Sequence, residues 1–494
     1  MKYLLGYDIG SSSIKAALIE ADSGKIIATA LSPSSEMEII SSQPGFAEQD
    51  PERWWRELII ATKKLQLQIP YKPDEIIAIG ISYQMHGLVC VDKNLQPLRP
   101  SIIWCDSRAV EFGNKAFQDL GEEFCLKNFL NSPGNFTASK LKWVKENEPE
   151  VYEKIYKIML PGDYIALKLS GEPATTISGL SEGIFWNYQT NSVAKELLNY
   201  YKIDEDFLSP IVPTFGEQGK INKEAAEILG IETGTPICYR AGDQPNNAFS
   251  LNVLQPGEIA ANAGTSGVVY GVTDKVEYDR QSRVNPFVHV NNTGRDKRYG
   301  ILLCVNGTGI LNSWLRKNFF NNSSYEEINN EASKISIGSE SLQIFPFGNG
   351  AERILANKNV TATFKGLQFN THNRAHVARA AQEGIVFALN YGMEIMQTMG
   401  MELRTIRAGF ANMFLSETFA QTFSNVSNCV VELYNTDGAV GAARAAGVGS
   451  GYYKNFSESF KGMEIINRIE PEKRSLQQTQ DVYQNWKNEL IRML

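Results

Sequence analysis

The feature that most restricts the fold of this chain occurs twice. Tyr3-Leu-Leu-Gly-Tyr-Asp-Ile9 is a short apolar run. Gly10-Ser-Ser-Ser13 is a small-residue turn, and Ile14-Lys-Ala-Ala-Leu-Ile-Glu20 is a second apolar run that turns again at Asp22-Ser-Gly24. Apolar runs of this length bounded by Gly, Ser and Asp read as paired strands. Just past half of the 494 residues, Glu258-Ile-Ala-Ala-Asn-Ala-Gly-Thr-Ser-Gly-Val-Val-Tyr-Gly271 repeats the plan of strand, turn, strand. Two similar hairpins half a chain apart suggest two related halves facing one cleft. The boundary falls between Asn246 and Pro256, which gives domains at 1–248 and 249–494.

Around these hairpins the pattern alternates. Asp50 caps a helix with Pro51 at its first position. Glu75–Ile81 reads as a buried strand followed by the loop Ser82–Gly87, and Leu88–Asp92 as another strand. Pro236–Tyr239 is a short strand that runs into a helix opened by Ala241–Asn247. Alternating strands and helices argue for an α/β fold. From Gly447 onward the chain is more polar, and peripheral helices are expected there.

Composition narrows the function classes. Hydrophobic residues make up 43% and charged residues 21%, which excludes a disordered chain. Lys+Arg 48 against Asp+Glu 55 leaves a net charge of −7, so nucleic acid is not an expected partner. Cys90, Cys105, Cys125, Cys238, Cys304 and Cys429 form no CxxC pair and read as free thiols in a reducing compartment. The opening Met1–Asp8 is too short an apolar run for a signal peptide, and no stretch of 18 apolar residues exists. A cytoplasmic enzyme with no membrane partner is the resulting expectation.

Several familiar chemistries are missing. There is neither a GxxxxGK[ST] phosphate loop nor a GxGxxG dinucleotide fingerprint. His372 and His376 are spaced to share a helix face, but no third metal ligand accompanies them. Gly179-Leu-Ser-Glu-Gly183 matches the GxSxG nucleophile elbow, yet the strand that should precede it is poor.

What remains points to phosphate. A Gly-Ser-Ser-Ser turn exposes successive N–H groups and hydroxyls, which bind phosphate oxygens without a P-loop. Asp8 at its base could hold hydrated Mg²⁺, and Lys15 on the return strand could reach a phosphate. Ala263-Gly-Thr-Ser-Gly267 is the second such turn. Asp243 follows a strand, and reads either as a helix cap or as a general base that takes a proton from a substrate hydroxyl. His86, in Gln84-Met-His-Gly87, could bind a polyol or only pack its loop. Trp104 could stack on sugar C–H groups or fill core.

Taken together, these motifs resemble the FGGY carbohydrate kinases of the actin-like ATPase superfamily, and within them the branch acting on xylulose. Asp8–Lys15 looks like the family's first phosphate hairpin, Gln84–Gly87 and Trp104–Arg108 like its sugar elements, and Thr137–Trp143 like its first signature. Ala241–Asp243 looks like the element with the catalytic Asp, and Gly264–Gly267 like the second phosphate hairpin. Gly350–Arg353, Phe364–Leu367 and His376–Ala381 resemble the second signature. Met85-His86 stands where glycerol kinases carry Arg-Glu. Three departures stand out: Ala408-Gly-Phe-Ala411 at the adenosine loop, Gln244 after the catalytic Asp, and Gln382 at an apolar position of the second signature.

The resemblance implies two ribonuclease-H-like (actin-like ATPase) domains flanking a catalytic cleft. It implies transfer of the ATP γ-phosphoryl group to D-xylulose, giving D-xylulose 5-phosphate. Asp243 would be the catalytic base, with Met85, His86, Trp104 and Gln244 around the sugar. Gly10, Ser11, Ser12, Lys15, Gly264, Thr265, Ser266, Gly309, Gly409 and Asn412 would hold ATP, and Asp8 with Asp243 would hold Mg²⁺. A homodimer is a family-level expectation. A ribulose-type ketose or a polyol is the alternative substrate. A non-enzymatic actin-like ATPase switch is the alternative class, though it has no use for a sugar loop.

Overall fold

The structure is a computed structural model that describes residues 1–494, and the chain divides into two compact units. The first holds Met1–Asn252, Phe287–Tyr299 and Thr436–Met463; the second holds Val253–Pro286, Gly300–Asn435 and Glu464–Leu494.

The sheet of the first unit is built from β1 (Tyr3–Ile9), β2 (Ile14–Glu20), β3 (Ile26–Ser32), β4 (Ile76–Tyr83), β5 (Phe215–Lys220) and β6 (Pro236–Gly242), in the order β5-β6-β4-β1-β2-β3. β1 and β2 form the expected antiparallel hairpin, with Asp8 opposite Lys15, while β1, β4 and β6 run parallel. Parallel strands are covered on both faces, which is why β1 reads as an unbroken apolar run rather than an alternation. Leu5 and Tyr7 pack with Trp54 and Leu58 of helix α1 (Pro51–Gln68), whose cap is Asp50 as expected. Leu4 faces the other way. Four further helices of this unit matter below: α2 (Thr137–Asn147), α3 (Pro161–Ser170), α4 (Ile177–Glu182) and α5 (Asp243–Ser250).

The second unit repeats the plan. Six strands of its sheet, β7 (Glu258–Ala263), β8 (Gly267–Thr273), β9 (Tyr299–Val305), β10 (Thr405–Gly409), β11 (Val430–Tyr434) and β12 (Ile465–Ile469), run in the order β9-β8-β7-β10-β11-β12. β7 pairs antiparallel with β8 and parallel with β10, as β1 does with β2 and β4. The internal similarity of the two hairpins therefore extends to whole sheets. Helices α6 (Gly309–Phe319), α7 (Tyr325–Ser333), α8 (Arg374–Thr398) and α9 (Glu417–Ser427) belong to this unit, and α8 is buried along nearly its whole length.

Two features depart from the sequence reading. Helix α10 (Gly438–Gly449) lies in the first unit, so the 436–463 stretch does not follow the expected division of the chain at 248/249. Its small residues explain this. A Cβ on Gly6 would sit 2.0 Å from the Ala439 carbonyl oxygen, and one on Gly80 2.0 Å from that of Ala442. Only glycines on β1 and β4 allow an alanine-rich helix so near the sheet. The polar tail is not peripheral either. β12 extends the second sheet, and in α11 (Lys473–Met493) Thr479, Tyr483, Trp486 and Leu490 form a buried stripe. Trp486 stacks on Phe345 with ring centroids 5.0 Å apart. A helix this polar buries only one narrow face, which average composition conceals.

Candidate active site

The ends of β1, β4 and β6 meet at one edge of the first sheet, since parallel neighbours finish together. β1 brings Asp8, β4 brings Ser82, and β6 leads through Gly242 into Asp243. The Ser82 hydroxyl donates to Asp8 at 2.8 Å. Gly242 is the cap of α5 and Asp243 its first residue, one place later than the cap reading expected. Burial, and next the negative charge of Asp8, push the Asp243 carboxyl up to about 7. Asp8 is itself raised by burial and by Asp437, against the opposing effects of Lys15 and Ser82. A carboxylate near 7 is poised to accept a proton at neutral pH.

Asp437 was not anticipated from sequence. It caps α10, accepting from the Val440 N–H at 3.0 Å. Gly438 stands so close that a Cβ there would lie 2.5 Å from the Asp8 carboxylate. No group of three His, Cys, Asp or Glu residues is arranged to ligate a metal directly. Asp8 nonetheless feels the negative charge of Asp437, and Asp243 that of Asp8, while Lys15 is the cation that acts on Asp8. Such a donor set suits a divalent cation held through its water shell.

Next to Asp243 lies the Gln84–Gly87 loop. Met85 is buried, and its side chain leaves no room for a Cβ on Gly242. His86 takes a left-handed backbone, φ 61°, and its Nδ1 lies 2.9 Å from the Glu182 carbonyl. Its ring meets Phe136 edge-on at 4.9 Å. The Lys140 ammonium, wholly buried on α2, donates to the carbonyls of His86 and Ile103, both at 2.9 Å. One side chain thus ties the Gln84–Gly87 loop to the residue that precedes Trp104. Burial brings the Lys140 amine down to about 7. Trp104 is 48% exposed and its indole N–H reaches Ser11 at 3.3 Å, so it does not fill core. Asp106 and Arg108 act as a brace instead, with Asp106 accepting from the Ala47 N–H and Arg108 lying over the Phe46 ring.

Beneath the site lie charges that sequence reasoning missed. Glu182 is buried on α4, and burial, aided by Asp243 and Asp163, raises its carboxyl far above the usual range. Asp163 on α3 pairs with Arg240 of β6 at 2.9 Å. Ser181, the centre of the GxSxG match, is buried in a helix and accepts from the Val288 N–H, so no nucleophile elbow exists. His372 lies before α8 and His376 on it, their rings 5.3 Å apart and tilted by 47°, with Glu340 as the carboxylate paired to His376, and they hold no ligand set.

The second unit contains a cavity of about 900 Å³. Gly264, Thr265, Gly309 and Asn412 line it together, as expected of a common ligand site. Gly309 opens α6 and donates to the Gly264 carbonyl at 2.9 Å; a Cβ there would lie 2.2 Å from that oxygen. Gly409 and Ser266 do not line the cavity. Gly409 ends β10, and Ser266 is hydrogen-bonded to Cys304.

Comparison with known proteins decides the family. The model of the FGGY family of carbohydrate kinases matches its N-terminal domain to residues 3–250 and its C-terminal domain to residues 259–450. The chain belongs to the FGGY family of carbohydrate kinases. This FGGY kinase is 28% identical to the xylulose kinase of Bacillus subtilis (strain 168) over 460 residues, 93% of this chain and 90% of that protein. It is 30% identical to a probable L-xylulose kinase of Haemophilus influenzae over 461 residues, 90% of each. Its fold matches the crystal structure of xylulose kinase from Rhodospirillum rubrum with a TM-score of 0.88 at 23% identity, covering 100% of this chain and 99% of that one. Plasmodium falciparum glycerol kinase with ADP matches equally, at 0.88 and 20% identity, covering 100% and 98%. The FGGY kinase is thus a sugar phosphotransferase with the actin-like ATPase fold.

Proposed function

We propose that this kinase transfers the γ-phosphoryl group of ATP to the C5 hydroxyl of D-xylulose, giving D-xylulose 5-phosphate. The observation that carries the reading is Asp243, a carboxylate raised to about 7 beside Asp8 at the strand ends. Asp243 accepts the hydroxyl proton as the phosphoryl group arrives, and Met85, His86 and Trp104 shape the sugar's place beside it. In a loose phosphoryl-transfer transition state, positioning and charge neutralisation do most of the catalysis. The Gly10–Ser13 turn with Lys15, and the Gly264–Ser266 turn, supply N–H groups, hydroxyls and an ammonium to phosphate oxygens. Gly309 and Asn412 line the wall of the nucleotide cavity. Asp8 and Asp243 would hold Mg²⁺ through water, and the ion would neutralise charge on the β- and γ-phosphates.

The names of the relatives support a xylulose substrate, and that of the Haemophilus influenzae relative makes L-xylulose the second reading. ADP release measured on D-xylulose, L-xylulose, D-ribulose, gluconate and glycerol tests both. The expected result is a kcat/KM for D-xylulose at least tenfold above the others. No sugar-stimulated turnover on any of them would refute the kinase reading.

A further inference from the structure

Gln382 has no place in the chemistry above, yet it is a buried amide at a position of the second signature where an apolar residue is expected. It lies on α8 and joins the two walls of the second unit's cavity. Its Nε2 donates to Asn329 Oδ1 at 2.9 Å, on α7. Its Oε1 accepts from the Ser416 hydroxyl at 2.8 Å, at the cap of α9. Both Asn329 and Ser416 line the cavity.

The polarity of this bridge is the one that gives the Ser416 hydroxyl proton an acceptor. The Ser416 oxygen accepts from the Phe419 N–H at 3.3 Å, so the hydroxyl proton is left to donate. It donates to Gln382 Oε1, which turns the Gln382 NH₂ toward Asn329. Asn329 must then accept through Oδ1, which leaves its own NH₂ for the cavity. We propose that Gln382 is a positioning residue for nucleotide selection: it locks the Asn329 amide so that the cavity offers a donor to N1 of the base, and thereby favours adenine over hypoxanthine. This rests on the reading of the cavity as the ATP site. The two bases differ at one edge. Adenine carries an acceptor at N1 and an amine at C6, whereas hypoxanthine carries an N–H at N1 and a carbonyl at C6. A donor fixed against N1 satisfies the first and opposes the second, and sites that fix a hydrogen-bond partner discriminate strongly.

The test compares ATP with ITP, which differ at that edge alone. Wild-type protein should favour ATP by at least tenfold in kcat/KM. Gln382→Met keeps the shape, removes both hydrogen bonds and frees the Asn329 amide to turn. The ATP:ITP ratio should fall to within about threefold, through a raised KM for ATP and a lowered KM for ITP, with kcat at saturation nearly unchanged. Asn329→Asp presents an acceptor alone and should shift preference toward ITP. A purely structural Gln382 would lower the melting temperature and leave the ratio unmoved, and that result in a folded variant overturns the proposal. A wild-type ratio near one does so too. If calorimetry detects no binding of either nucleotide to the wild-type protein, the reading of the cavity itself fails, and the proposal with it.

Discussion

Asp243→Asn should cost the enzyme its activity and make the resting protein more stable. In the folded protein the Asp243 carboxyl is raised from 3.8 to about 7, mainly by burial and then by Asp8. A carboxyl whose folded pKa is raised binds its proton more tightly when folded. Its contribution to stability is present below pH 4, is lost as pH rises from about 4 to about 7, and the loss is complete above that. At 1.36 kcal/mol per unit, a shift of about 3 units sets a ceiling of about 4 kcal/mol. Side-chain relaxation and partial solvent access cut this, so about 2 kcal/mol at pH 8 is expected. Asparagine keeps the shape and carries no charge, so it escapes the penalty. Melting curves of wild type and variant, in metal-free buffer with a chelator, should lie closest near pH 4, separate between pH 4 and 7 and stay apart above that. The variant should melt several degrees higher at pH 8. Its kcat should fall by about 10²–10⁴, the usual contribution of a positioned base. In wild type, kcat/KM should fall about tenfold per unit below pH 7. A melting difference that shrinks as pH rises would refute the account of Asp243, and activity within tenfold of wild type would refute its role as base.

Asp8→Asn should weaken MgATP-dependent turnover far more than sugar binding; calorimetry showing the sugar lost and MgATP intact would reverse that assignment. His86→Ala should lower kcat/KM for D-xylulose by about 10–100-fold, since an unmatched buried polar partner costs about 1–3 kcal/mol. Equal losses on D-xylulose, D-ribulose and glycerol with a lowered melting temperature would reduce His86 to a packing residue. Gly6→Ala places a methyl 2.0 Å from the Ala439 carbonyl oxygen and should destabilise by about 3 kcal/mol; a melting temperature within a degree of wild type would show that α10 moves aside freely.

The two hairpins were legible because their information is local. Strands β1 and β2 are apolar runs joined by a turn whose residues dictate its geometry, and nothing distant is needed to read them. Asp243 was legible for the same reason, standing where a strand gives way to a helix. Glu182 was not. It lies inside the GxSxG match, and its burial beneath Met85 and Gly242 is set by residues 60 and more positions away. The Asp163–Arg240 pair likewise joins α3 to β6 across the fold, and no spacing announces it. Trp104 was misjudged as possible core because a tryptophan at a strand end says nothing of which side is covered. The tail was misjudged because composition averages over a helix, whereas burial follows one face. Tyr483, Trp486 and Leu490 stand at helical spacing, and that periodicity was the available signal.

Asp437 shows why part of such a site escapes any local reading. The second sheet is nearly complete before the chain returns to the first unit through Thr436–Met463. The return sets the start of α10 against Asp8. The positive end of a helix favours a nearby carboxylate, yet Asp437 at the cap adds a negative charge in the same place. The two effects oppose each other, while burial is the main reason that the Asp8 carboxyl is raised, with Asp437 adding to it. A fold selected for stability alone would place a lysine or a neutral cap there. The retained like charges instead make the resting site poorer in energy and more receptive to a cation. Asn246 on α5 donates to the Gly438 carbonyl at 2.8 Å, tying the helix that carries Asp243 to the one that carries Asp437. The strand ends, the returning helix and the base are thus one mechanical unit. Its glycines Gly6, Gly80 and Gly438 are the residues that allow it to close.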